Sequence, residues 1–150
     1  MVRSRRWLSM WACLAGLCAT TTASAVCLDE NFVSGYHLPL EREVHSAVAI
    51  VLGKVTRKND LVEDPAYPDG ITATIYTVQV SRMVRGKVAP IIRIRSENDS
   101  GRFWMDVGKE YLLFLSKDVH HGLYFVDSCG NSGVTSDRVT VLRQVEQGVP

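Results

Sequence analysis

The run ITATIYTVQVSRMV, residues 71–84, identifies a β protein. Tyr76, Val78 and Val80 fall on one face and Thr77, Gln79 and Ser81 on the other. That period of two marks a strand with one face buried and the other in water. Just upstream, residues 57–70 contain Asn59, Asp60, Pro65, Pro68, Asp69 and Gly70, a density of turn formers that predicts a long hairpin loop. Before that loop, Ala47 to Val55 are too uniformly apolar for a strand with a wet face. Their β-branched content predicts a first strand covered on both sides.

Downstream, Arg85-Gly86-Lys87 reads as a turn, and Ile92 and Ile94 alternate with Arg93 and Arg95 in a third strand. Asn98-Asp99-Ser100-Gly101 is a strong turn. Gly108 opens a fourth strand at Tyr111–Leu115, and Leu123–Val126 form a fifth after the polar loop 117–122. Pro39 suits the first turn of a helix whose apolar face is Leu40, Val44, Ala47 and Val48, with Glu41 and Glu43 complementing its N-terminal dipole. Val139, Leu142 and Val145 predict a second short helix near the C-terminus. Five strands with a helix at either end predict a small all-β barrel, since closure removes the free edges of a short sheet.

The first 25 residues carry an export signature: Arg3, Arg5 and Arg6, an apolar run from Trp7 to Ala19, then Ala23-Ser24-Ala25. The apolar run falls short of the ~20 residues a membrane anchor needs. Cleavage after Ala25 would leave residues 26–150 as one domain and remove Cys13 and Cys18 with the signal. An exported chain with two remaining cysteines, Cys27 and Cys129, is expected to join them, in a secreted or periplasmic setting. Loss of three arginines from a formal charge of +1 leaves −2. Bulk attraction to nucleic acid is therefore not expected.

Several of these segments together resemble a known family. They are the cysteine near the mature N-terminus, the strand Ala49 to Val55, the run Arg82-Met83-Val84-Arg85-Gly86-Lys87, Gly108-Lys109-Glu110-Tyr111-Leu112-Leu113-Phe114, and the closing Asp127-Ser128-Cys129. In order and spacing the chain resembles the netrin-like domain, in particular the inhibitory domain of tissue inhibitors of metalloproteinases and its bacterial single-domain relatives. The resemblance covers nearly all of residues 27–129 and implies a five-stranded barrel of the oligonucleotide/oligosaccharide-binding type. In the family's inhibitors, an N-terminal cysteine chelates the target's zinc. By spacing, Ala25 stands where that cysteine would be, and no cysteine lies between Cys27 and Cys129 to lock the N-terminus in place. The resemblance thus implies a non-catalytic binding module for a protein or glycan in the envelope or outside the cell, with metalloprotease inhibition as the alternative.

The remaining chemistry is sparse. Gly130-Asn131-Ser132-Gly133 resembles the nucleophile segment of trypsin-like proteases, but no His motif precedes it, so a turn is expected. His120-His121 in a loop, and His37 and His45 near the first helix, are expected to be solvated or at the surface rather than metal ligands. The acidic residues of loop 57–70 do not follow a calcium-loop spacing. No cofactor is expected. The basic concentration is Arg82, Arg85, Lys87, Arg93 and Arg95, with Arg102 beyond. On a small barrel these residues are the candidates for contact with an anionic partner.

Overall fold

The computed structural model describes residues 27–28, 37–63, 66 and 70–148. The export segment, its cleavage point, and Pro65, Pro68 and Asp69 of the hairpin loop lie outside the described residues.

The fold is mostly β. Strand β1 (Ala49–Leu61) is followed by β2 (Ala73–Gly86), β3 (Ile91–Glu97), β4 (Glu110–Lys117), β5 (Tyr124–Phe125) and β6 (Gly133–Val134). Helix α1 (Leu40–Ser46) precedes them and α2 (Val139–Glu146) follows. β1 pairs antiparallel with both β2 and β4, and β2 with β3. β5 joins β3 at Ile94 and β4 at Ser116 and Lys117, so the pairings close a ring of five strands. β6 adds to β4 only at Tyr111 and Leu112.

The long β1 serves two neighbours because it bends. Three register shifts against β2, the last between Val55 and Arg57, increase its twist. At Gly53 a β-carbon would stand 2.5 Å from Val78 Cγ1, so a side chain there would force β2 away.

The ring encloses one core and wears a second. Ala49, Val51 and Val55 point inward with Tyr76, Val78, Ile92, Ile94, Leu113 and Leu115. Ile50 and Leu52 point outward with Leu112 and Phe114, where α1 supplies Val44 and α2 supplies Val141, Leu142 and Val145. Both faces of β1 are therefore covered, as its unbroken apolar run predicts. Each such buried aliphatic side chain contributes roughly 1.5–3 kcal/mol.

Several boundaries differ from the sequence reading. β1 continues to Leu61, through residues expected in the hairpin loop, because the ladder to β2 runs on to Ala73 and Thr74 Oγ1 donates to Asp60 at 2.8 Å. Arg85 and Gly86 end β2 rather than form a turn, and Gly133 opens β6 within a segment expected to be loop. Val48 lies beyond α1 and is exposed. In α2 the inward face is Val141, Leu142 and Val145, while Val139 is half exposed. Among the described residues, no helix is long and apolar enough to cross a membrane.

Candidate binding surface

The structure divides the five basic candidates. Arg82 and Arg85 lie on the part of β2 beyond its pairing with β3, which ends at Gln79 and Ile91. Their register partners are Leu52 and Ile50, so they border the outer core and serve the helices. Arg82 pairs with Glu146 of α2 at 2.6 Å, and Arg85 Nη1 donates to the Val44 carbonyl of α1. Arg95 is only 7 % exposed, its guanidinium gripped by Glu63 and Glu97. The hydrogen bonds to those two carboxylates hold Arg95 above even its usual high pKa, and the bond from Arg95 holds Glu63 below the usual carboxylate range. Lys87 and Arg93 are exposed. Three of the five candidates thus also tie parts of the fold together, with Arg95 buried while Arg82 and Arg85 stay exposed. Arg95 is withdrawn because the hairpin between β1 and β2 brings Glu63 onto it from 32 positions away.

A cleft of about 330 Å³ lies beside Arg95, between the 98–101 turn and the segment leaving β5. Glu97, Asp99, Asp118 and Asp127 line it together with Phe125. With Arg95 already matched by carboxylates, this cleft does not offer an anion site. His121 Nδ1 lies 2.6 Å from Asp118, so this histidine is a partner of the loop carboxylate and not merely solvated. Among the described residues, no group of three or more His, Cys, Asp or Glu is placed to hold a metal ion.

Cys27 and Cys129 are bridged, with their Cα atoms 5.5 Å apart. The bridge is one of several ties drawing the chain before α1 onto the segment after β5. Leu38 N donates to the Cys129 carbonyl at 2.9 Å, and Asn131 Nδ2 donates to the Leu38 carbonyl at 2.9 Å. Asn131 also donates to Glu43 Oε2 from its backbone (2.6 Å) and its side chain (2.8 Å). Glu43 is 4 % exposed, and its Oε1 has no hydrogen-bond partner. Burial raises its carboxyl pKa, against the lowering effect of the Asn131 bonds. Gly130 is required here because a β-carbon would fall 2.1 Å from that same Oε1.

Ser132, at the position that resembles a protease nucleophile, is buried and structural. β6 pairs with β4 only as far as Leu112, so the Phe114 amide lacks a ladder partner on that edge and donates to Ser132 Oγ at 2.9 Å. The segment bends as its composition predicts up to Ser132 and enters β6 at Gly133, with Asn131 and Ser132 bonded to the rest of the fold.

The connection from β3 to β4 behaves differently. It plugs one end of the ring with Phe103 and Met105, which join the inner core beside Tyr76 and Tyr111. Its backbone is pinned: Phe103 N donates to Ser96 Oγ (3.0 Å), Met105 N to Tyr76 Oη (3.4 Å) and Asp106 N to Tyr111 Oη (2.8 Å). Between the two inward residues Trp104 is left outside, 60 % exposed. The Arg102 guanidinium lies 4.1 Å from its ring centroid and Lys58 Nζ, on the extended part of β1, lies 5.2 Å away. Sequence reasoning missed Trp104. The available signal was three consecutive large apolar residues, Phe103-Trp104-Met105, in a connection where alternation turns the middle one outward. It also missed the role of Glu43, which reads as an ordinary dipole-complementing residue in the first turn of a helix. No protein-family model matches the chain, and no curated protein matches it.

Proposed function

We propose that this chain is an exported, non-catalytic binding module, a netrin-like barrel of the oligonucleotide/oligosaccharide-binding type, that contacts a protein or glycan through the surface around Trp104. The observation carrying this reading is a large indole, mostly exposed, on a backbone fixed by three hydrogen bonds to the ring. Folding gains little from a tryptophan in water, and a rigid aromatic loses little entropy when it binds, so such residues serve as anchors. The disulfide supports the export part of the reading, since such bonds persist in oxidising compartments. The five-strand ring supports the barrel and the likeness to the netrin-like domain. For Ser132, the one residue with a nucleophile-like context, engagement with the Phe114 amide favours a structural role over catalysis.

The test is recovery of partners from an envelope extract by the exported protein and by its Trp104→Ala variant. A partner held by the first and lost by the second is expected. Equal recovery by both, with both folded, would remove Trp104 from the contact and defeat the proposal.

A further inference from the structure

The surface around Trp104 joins an open aromatic ring to two cations, and their placement bears on the ligand. Arg102, half-buried, donates from Nε to the Glu97 carbonyl at 3.4 Å, while its Nη2, itself buried, meets no acceptor. Lys58 reaches Asp60 only at 3.7 Å, and Asp60 Oδ1 already accepts from Thr74. The nearby carboxylate of Asp106 is held by Lys109 at 2.8 Å. The positive charge beside the indole is therefore incompletely matched by the protein, in contrast to that of Arg95.

We infer that this surface binds an acidic saccharide, a pyranose unit carrying a carboxylate or sulfate group. The inference rests on the reading of the Trp104 surface as the module's contact site. One face of a pyranose ring presents C–H groups, which pack on the electron-rich face of an indole. Its acid group projects from the ring edge, within reach of a flanking guanidinium or ammonium. A stable protein interface buries roughly 800 Å² per partner around a core more apolar than the rest of the surface. Here the β3–β4 connection exposes Val107 as its only other large apolar residue, so a sugar-sized ligand fits the platform better.

In a chain that begins at Val26, Trp104 is the sole tryptophan, because Trp7 and Trp11 are removed with the export segment. Its emission then reports directly on occupancy. The exported protein would be titrated with polygalacturonate, dextran sulfate, neutral dextran and a single-stranded oligonucleotide. A change in emission with either acidic polymer and none with dextran is expected, and the stronger of the two identifies the acid group. Arg102→Gln combined with Lys58→Gln should weaken that binding by about tenfold or more, and added salt should weaken it further. Calorimetry on Trp104→Ala should show a similar loss, with Arg143→Gln on α2 as a control that binds normally.

Silence with both acidic polymers, or a response unaffected by the Arg102 and Lys58 changes, overturns the inference. An equal response to dextran or to the oligonucleotide does the same. If the acidic polymers fail while a protein partner is still captured in a Trp104-dependent way, the saccharide is wrong and the contact site stands. If capture is indifferent to Trp104 as well, both fall.

Discussion

The connection 98–109 and the segment 127–133 both leave a strand through a cluster of Asp, Asn, Ser and Gly, yet they treat their side chains in opposite ways. In the segment after β5, Asn131 bonds to Glu43 and Leu38, Ser132 caps the Phe114 amide, and Cys129 is bridged to Cys27. The connection after β3 is fixed by the backbone amides of Phe103, Met105 and Asp106, and Trp104 remains at the surface with Arg102 against its ring. Turn chemistry stops a strand in both cases. What differs is that the first segment adds its Asn131 and Ser132 side chains to its backbone ties, whereas the three amides around Trp104 bond to the strands and leave the indole exposed.

If the 127–133 segment is structural, damage there should reduce stability. The largest effect is expected for Cys129→Ser, which opens a loop with a sequence separation of 102 and should cost about 4–5 kcal/mol in the chain-entropy account. Denaturant unfolding under non-reducing conditions measures it, and an unchanged midpoint would make the bridge incidental. Gly130→Ala should come next, at roughly 1–3 kcal/mol, because its methyl group overlaps the Glu43 carboxylate. A variant as stable as the parent would mean that the Glu43 contact is loose.

A subtler effect comes from the charge on Glu43. Its folded pKa is raised, chiefly by burial and slightly by Asp127, while the Asn131 bonds and Arg138 act the other way. The folded protein therefore holds this proton after the unfolded chain has lost it. The contribution to stability is fully present below the ordinary carboxylate pKa and is lost as pH rises from there through the raised folded value. Glu43→Gln should flatten that part of the stability curve, as followed by melting temperature from pH 4 to 7. A curve identical to the parent's would mean that the carboxyl titrates normally.

The smallest effect on stability is expected at the other region. Trp104→Ala removes two exposed cation–π contacts and should cost about 1 kcal/mol or less. A loss as large as that from Gly130→Ala would show that the indole is structural and would erase the contrast between the two regions.

The β character was legible from residues 71–84 and from the doubly apolar run at β1, and the pairing of Cys27 with Cys129 from the export signature. The β3–β4 connection was legible as a turn but not as a plug, because nothing local shows that Phe103 and Met105 close the end of a ring. The arginines alternated correctly along β3, yet alternation identifies a face and not the neighbours waiting there. Arg95 found Glu63 and Glu97 and is buried, Arg82 and Arg85 stay exposed but reach partners on the helices, and Arg93 and Lys87 are exposed as expected.

Strand type, the presence of the two helices and the two-sided burial of β1 follow from chemistry between near neighbours, since the pleat and the helical turn repeat over two to four residues. The fate of individual polar and aromatic groups does not. Glu43 is buried by Asn131 from 88 positions away, Arg95 is neutralised from 32 away, and Lys58 reaches Trp104 only because β1 runs past its expected end. Those contacts form when the ring closes and brings distant segments together, and closure is where the protein separates the polar groups it buries from those it leaves free to bind.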